Sequence, residues 1–131
     1  MKKIEDCWGE KLSHFLVKPN TDYFPPQNEH LADEVFFVFE KSKIHILPLP
    51  DTDELSVECL EYDNTKGSGP EGMVTIVNNY IGKSLSMTWN CFNANGYLDL
   101  FAIGFDQLHP NLMILSEGSV LKLFDVMQIK K

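Results

Sequence analysis

Arginine is absent from this 131-residue chain, and its absence limits the ligands that the protein can bind. The 11 basic residues are all lysines, against 19 acidic residues, which gives a formal net charge of −8. Arginine is the usual bidentate partner of phosphate, carboxylate and guanine, and nucleic-acid affinity depends on a positive patch. The composition therefore predicts no nucleic-acid binding, and its acidity favours a basic partner.

Long apolar segments are also missing. No run approaches the ~20 apolar residues of a membrane-spanning helix, and the N-terminal MKKIEDCWGEKL lacks the apolar stretch of a secretory signal. We expect a cytoplasmic protein with no membrane partner. With 44% apolar and 23% charged residues, the composition is globular, and the length predicts a single domain over residues 1–131.

Motifs for catalysis, cofactors and metals are scarce. Cys7, Cys59 and Cys91 are widely spaced with no CxxC, so buried free thiols are their simplest interpretation. No histidine has a second one within two to four residues, which argues against a zinc site. No nucleophile elbow, HExxH motif, P-loop or dinucleotide fingerprint occurs. We predict neither cofactor nor metal, and favour a non-enzymatic protein while leaving catalysis open.

Alternating and β-branched apolar residues predict strands along most of the chain. Two segments instead have helical spacing: residues 1–8, and residues 71–81, whose apolar stripe ends before Gly82. The predicted fold is therefore α+β, a mostly antiparallel β-meander sheet with one or two short helices. The predicted strands are 12–17, 34–40, 43–47, 54–60, 84–92, 97–105, 111–116 and 119–128.

The dipeptide Asn95-Gly96 predicts a hairpin turn, with a binding loop as the alternative. Counting from this turn places Trp89 opposite Ala102 and Met87 opposite Gly104, so large side chains face small ones. On the other face of the hairpin, Phe92 is expected to meet Asp99.

Two segments of the chain resemble each other. WGEKLSHFLV (8–17) and IGKSLSMTWN (81–90) share an apolar residue, a glycine, a charge and a Leu-Ser pair, and each follows a helical pattern. One interpretation is an internally duplicated helix-plus-meander unit. Chance similarity over ten residues is the other.

An acidic run between residues 51 and 63 is the most distinctive polar feature. A calcium loop does not fit, because Ser56 stands where the EF-hand pattern requires glycine. The run is either a strand edge protected from aggregation by its charges or a docking surface for a basic partner. The predicted partner-binding residues are Asp51, Asp53, Glu54, Glu58, Glu61 and Asp63.

Asp99 is unusual because it lies among apolar residues in a strand expected to be covered on both faces. A buried carboxylate requires hydrogen-bond donors or an altered pKa. Asp99 and Tyr97 are therefore candidates for a small-ligand or active-site pocket. Alternatively, Asp99 lies near the open end of its strand and accepts a bond from a backbone amide.

The stretch IGKSLSMTWNCFNANGYLDLFAIGFD, followed by LKLFDV, resembles a small bacterial family known only as a domain of unknown function. Its members have a Gly-Lys-x-Leu segment, a Trp-containing strand, an N-x-x-GY-x-D hairpin and a C-terminal strand. The resemblance lies mainly within residues 81–126 and implies no assigned activity. The matching positions are Gly82, Lys83, Leu85, Trp89, Asn93, Gly96, Tyr97 and Asp99.

The function favoured by these observations is that of a small acidic binding protein, immunity-like or adaptor-like, which recognises a basic protein through residues 51–63. The alternative is a small-ligand-binding protein or an enzyme with a pocket near Tyr97 and Asp99. A homodimer formed through an exposed sheet edge fits either function.

Overall fold

A computed structural model describes residues 3–20, 31–49, 51–61, 73–75, 79–117 and 120–125. Within these ranges, nine strands form one sheet in which every pairing is antiparallel. The strands are β1 (Leu12–Pro19), β2 (Leu31–Phe39), β3 (Ser42–Leu49), β4 (Glu54–Glu61), β5 (Val74–Thr75), β6 (Leu85–Phe92), β7 (Leu98–Phe105), β8 (Leu112–Glu117) and β9 (Val120–Asp125).

The sheet consists of two four-stranded meanders. Strands β1 to β4 pair in succession, as do β6 to β9, and β2 joins β9 through a short pairing at Leu31 and Ala32. The order is β4-β3-β2-β9-β8-β7-β6, with β1 and β5 branching from β2. The sheet curls into a half-barrel, which leaves β4 and β6 as the two ends of the main strand path.

Alternate residues of the strands form the hydrophobic core on the concave side. Strand β2 contributes Val35, Phe37 and Phe39, and β7 contributes Phe101 and its two alternating neighbours. The rings of Phe15 and Phe37 stack with centroids 4.7 Å apart. Complete burial of such a side chain stabilises the fold by about 1.5–3 kcal/mol. The two meanders therefore share one core.

The predicted α+β class is wrong, because the described residues are nearly all β. Their only helical element is a 3-10 helix at Ile4–Cys7, where an α-helix over 1–8 was expected. In the predicted helix 71–81, Val74–Thr75 form β5 and residues 79–82 form a turn; residues 71, 72 and 76–78 lie outside the described ranges. Four consecutive β-branched residues at 74–77 favour extended backbone over the helix that the apolar spacing suggested.

No helix in the described ranges is long and apolar enough to span a bilayer.

The two Leu-Ser segments lie side by side, although the predicted helix-plus-meander unit is wrong in its helical part. Gly9 N donates to Leu85 O at 2.7 Å, and Gly82 N donates to Leu12 O at 2.8 Å. Both glycines adopt a positive φ, +96° and +86°, which glycine reaches without steric cost. These reciprocal bonds join the start of β1 to the start of β6.

Candidate functional site

Small residues of β7 accommodate large residues of β6, as the sequence predicted. Trp89 pairs with Ala102 and Met87 with Gly104. A Cβ atom added to Gly104 would lie 2.6 Å from the His109 carbonyl oxygen and 3.2 Å from the Trp89 ring. Position 104 therefore requires glycine, because the backbone of the β7–β8 connection occupies the space of a side chain.

The hairpin tip is a turn held by one asparagine. Gly96 N donates to Asn93 O at 2.9 Å, and the Asn93 side-chain oxygen accepts bonds from Asn95 N and Tyr97 N. Gly96 has a φ of +83°, typical of a turn that ends in a glycine bulge. The geometry of the hairpin turn therefore explains the Asn95-Gly96 dipeptide.

Asp99 occupies a β-bulge, which explains a carboxylate among apolar neighbours. Cys91 pairs with Leu100, whereas Phe92 pairs with Leu98, so Asp99 is an extra residue on β7. The expected pairing of Phe92 with Asp99 is wrong, because the bulge shifts the register by one residue. Asp99 is half-buried and Tyr97 is 38% exposed; a pocket near them stays a prediction.

Five of the six predicted partner-binding acids lie together at one end of the strand path. Asp51 and Asp53 form the turn between β3 and β4, and Glu54, Glu58 and Glu61 lie on β4. All are exposed except Glu54, which is half-buried. Asp53 has a φ of +54°, a backbone conformation that aspartate tolerates in turns. The sixth predicted acid, Asp63, lies outside the described residues.

Alternation along β4 places Glu54 and Glu58 on the face opposite the core, whereas Glu61, at the exposed end of the strand, alternates with the core residues. Leu55 and Cys59 are buried, whereas Glu54 and Glu58 point to the other face because successive side chains alternate. Glu58 lies opposite His45 on β3. In the described part of the chain, neither Glu54 nor Glu58 forms an ion pair, so both carboxylates present their charge to solvent.

The face of the sheet that carries Glu54 and Glu58 also holds a carboxylate–imidazole pair, which was not predicted from the sequence. His45 Nε2 lies 2.6 Å from Glu34 Oε1, with 18% and 23% of the side chains exposed. The His45 ring stacks on Phe36 at 4.2 Å. A carboxylate that orients an imidazole can serve proton transfer, and it can also simply stabilise neighbouring strands. The sequence feature that could have revealed this pair is the short β2–β3 hairpin, which places Phe36 opposite His45.

Strand β6 ends the main strand path opposite β4, and it carries no charge. Its sequence is LSMTWNCF. After Leu85, its outer edge pairs with none of the described strands. Phe92 is 63% exposed, and Trp8 reaches the strand by donating from Nε1 to Thr88 Oγ1 at 3.3 Å. Among the described residues, this edge therefore combines backbone groups that no strand pairs with and exposed apolar side chains.

Tyr80 connects the turn before β6 to β9. Its hydroxyl donates to Asp125 Oδ1 at 2.9 Å, and its ring stacks on Phe105 at 5.4 Å. Burial, followed by the hydrogen bond to Asp125 and the charge of that carboxylate, raises the pKa of Tyr80 to about 12. The phenol therefore remains protonated, as a donor, over the neutral range.

The three cysteines belong to no cluster of metal-binding residue types in the described ranges. Cys7 and Cys59 are buried and Cys91 is half-buried, all as free thiols. Within the described ranges, no group of three or more histidine, cysteine, aspartate or glutamate side chains is placed to hold a metal ion.

Comparisons with known proteins identify a family but no activity. Searches of the curated proteins and of the solved structures each found no match. The family model described as "Family of unknown function (DUF6334)" matches residues 1–130, which is wider than the resemblance expected within residues 81–126. The expected membership of an uncharacterised domain family is confirmed: the chain belongs to the family of unknown function DUF6334.

Proposed function

We propose that this chain is a non-enzymatic binding protein, immunity-like or adaptor-like, that recognises a basic partner protein through an acidic edge. The acidic edge consists of Asp51, Asp53, Glu54, Glu58 and Glu61. The observation that carries the proposal is their concentration on β4 and the turn before it, with four of the five exposed. Exposed like charges gathered on one surface attract an oppositely charged partner and accelerate its association.

The balance of charges supports a protein partner with lysine or arginine side chains. The chain has a net charge of −8, so its own field repels anions. The lysine nearest to the acidic edge on β3, Lys43, is half-buried with its Nζ 5.0 Å from the Phe36 ring centroid. A partner's basic groups would therefore meet mainly carboxylates along β4, with the exposed Lys41 lying only at its Glu61 end.

A triple neutralisation tests the proposal. The variant Asp53→Asn, Glu54→Gln, Glu58→Gln has a net charge of −5, since three of eight excess negative charges are removed. With each exposed contact contributing about 0.5 kcal/mol, we expect about tenfold weaker binding. The measurement is quantitative mass spectrometry of basic proteins captured from the native cell by the immobilised chain, followed by titration of the purified partner.

A charge-matched variant supplies the control. Glu5→Gln, Glu40→Gln, Glu117→Gln also has a net charge of −5, and these three side chains are exposed and do not belong to the acidic edge. Binding should survive in this control and weaken with rising salt in the wild type. Equal losses in both triple variants would show an effect of total charge alone. Unchanged binding in the first variant would reject the acidic edge as the binding surface.

A further inference from the structure

We infer that the free edge of β6 is an interface at which a second copy of this chain adds its own β6, antiparallel, to form a two-fold dimer. This free edge comprises residues 87–92, beyond the bonds that join the start of β6 to β1. The inference rests on β6 alone, and it does not depend on recognition of a basic partner.

In the described part of the chain, residues 87–92 of β6 have little of the usual protection of an edge strand, although the Trp8 side chain reaches them at Thr88. Native sheets guard their edges with charges, prolines, bulges or a covering element. Strand β4 has three glutamates in eight residues, whereas β6 has no charged residue and no proline. One bulge, at Ser86, precedes the free edge, and the other, at Asp99, lies on β7 opposite the last two residues of the free edge. Among the described strands, none pairs with residues 87–92 on this side.

Apolar side chains lie along the free edge. Met87 and Trp89 lie opposite Gly104 and Ala102, on the face opposite the core side chains, and Phe92 is 63% exposed. In an antiparallel pair, Phe92 of one copy would lie towards the Met87 end of the other. Apolar groups at both ends of the free edge would then lose contact with water.

Charge favours a second copy of the chain as the occupant of the free edge. Two chains of net charge −8 repel wherever their acidic surfaces face each other, so a self-association surface must be neutral. The described strand β6 meets that condition, and β4 does not. A basic peptide gains no electrostatic attraction from an uncharged strand and is drawn to the acidic edge instead. The two-fold arrangement also satisfies the backbone groups of both edges reciprocally.

Matched lysine substitutions on β6 and β4 test the inference. Asn90 and Leu60 are both exposed strand residues, on β6 and β4 respectively. Asn90→Lys and Leu60→Lys each add one positive charge, so they change the total charge equally. In the dimer, Asn90→Lys places two lysines close to the two-fold axis, where like charges repel. We expect at least a tenfold rise in the dimer dissociation constant for Asn90→Lys and less than a twofold change for Leu60→Lys.

The measurement is sedimentation velocity over a concentration series of the full chain, with circular dichroism to verify folding. If Asn90→Lys fails to fold, Phe92→Lys provides the same test at the other end of the free edge. Amide hydrogen exchange of residues 87–92 in the wild type should slow as the protein concentration rises. A wild type that stays monomeric at every concentration would overturn the inference. So would a dimer that both β6 substitutions leave intact.

Discussion

The two outermost strands of the main path, β4 and β6, differ in their charge and in how their side chains pack against the neighbouring strand. Strand β4 has three glutamates and follows a turn with two aspartates. Strand β6 is uncharged and packs its large side chains against Ala102 and Gly104 of β7. A charged edge resists pairing with other strands yet attracts a basic surface, whereas an uncharged edge keeps its backbone available to another strand.

The difference teaches that one sheet can present two chemically separate surfaces. Association through β4 should weaken with salt because its groups are charged and exposed. Association through β6 should be much less sensitive to salt, because backbone hydrogen bonds and apolar burial dominate there. Substitutions at one edge, or in the turns next to it, can therefore change association through that edge without changing association through the other.

Gly104→Ala is expected to have the largest effect on stability. The added Cβ would meet the His109 carbonyl oxygen at 2.6 Å and the Trp89 ring at 3.2 Å, and overpacking of this kind costs about 3 kcal/mol. Urea unfolding would measure the loss. Gly96→Ala is the control: its Cβ would meet nothing within 4 Å, but its φ of +83° costs about 1 kcal/mol. Equal losses in both variants would show that the contact with His109 is not the cause.

The next comparison is between two hydrogen-bonded turns: the β7–β8 turn, next to the β6 side of the sheet, and the β2–β3 turn, next to the β4 side. Asn111 is buried, and its side-chain oxygen accepts a 2.6 Å bond from Phe105 N behind β6. Behind β4, the half-buried Glu10 accepts bonds from Lys41 N and Ser42 Oγ, both at 2.8 Å.

Asn111→Ala should cost about 2 kcal/mol, because it leaves a buried amide without an acceptor. Glu10→Ala should cost about 1 kcal/mol, because the exposed Lys41 N can bond to water and the hydroxyl of the buried Ser42 can rotate. The midpoints of urea unfolding would measure both values. A larger loss for Glu10→Ala would show that its two hydrogen bonds at the β2–β3 turn contribute more to stability than the single bond of Asn111 at the β7–β8 turn.

The smallest expected effect is a dependence of the unfolding free energy on alkaline pH, caused by Tyr80 in the turn before β6. Tyr80 has a folded-state pKa of about 12 against an ordinary value of 10.0, so the folded protein holds this proton more tightly than the unfolded chain. The resulting stability is fully present below pH 10 and is lost as the pH rises through 12. Unfolding free energies between pH 9 and 12 should fall less steeply for Tyr80→Phe than for the wild type. Parallel curves would contradict a role for this phenol.

Local patterns predicted the strands well because alternation and turn residues act over a few positions. Strands were expected at 54–60 and 84–92 and occur at Glu54–Glu61 and Leu85–Phe92. Counting from Asn95-Gly96 gave the correct partners of Trp89 and Met87. The count failed on the turn side of the bulge that adds Asp99: Phe92 pairs with Leu98, and Asn93 rather than Ala94 bonds to Tyr97. A bulge depends on how two strands twist together, which neither strand reveals alone.

The predicted α+β class was wrong because apolar spacing alone does not distinguish a short helix from a strand. At Val74–Thr75, pairing with β1 offers hydrogen bonds to residues that already favour extended backbone. The acidic run was recognised from the sequence as far as Asp63, but its position at a sheet edge depends on strand order. The Glu34–His45 pair was missed because its members meet diagonally across a hairpin.

The sequence by itself determined the acidic character of this protein, its strands, and the pairing of Trp89 with Ala102, since each depends on composition or on residues close in the chain. Only the tertiary structure decided that β4 and β6 end the main strand path, and that Gly9 and Gly82 bring the two meanders together. The physical reason is that a strand's neighbours are chosen by shared burial of distant side chains, so no segment encodes its own place in the sheet.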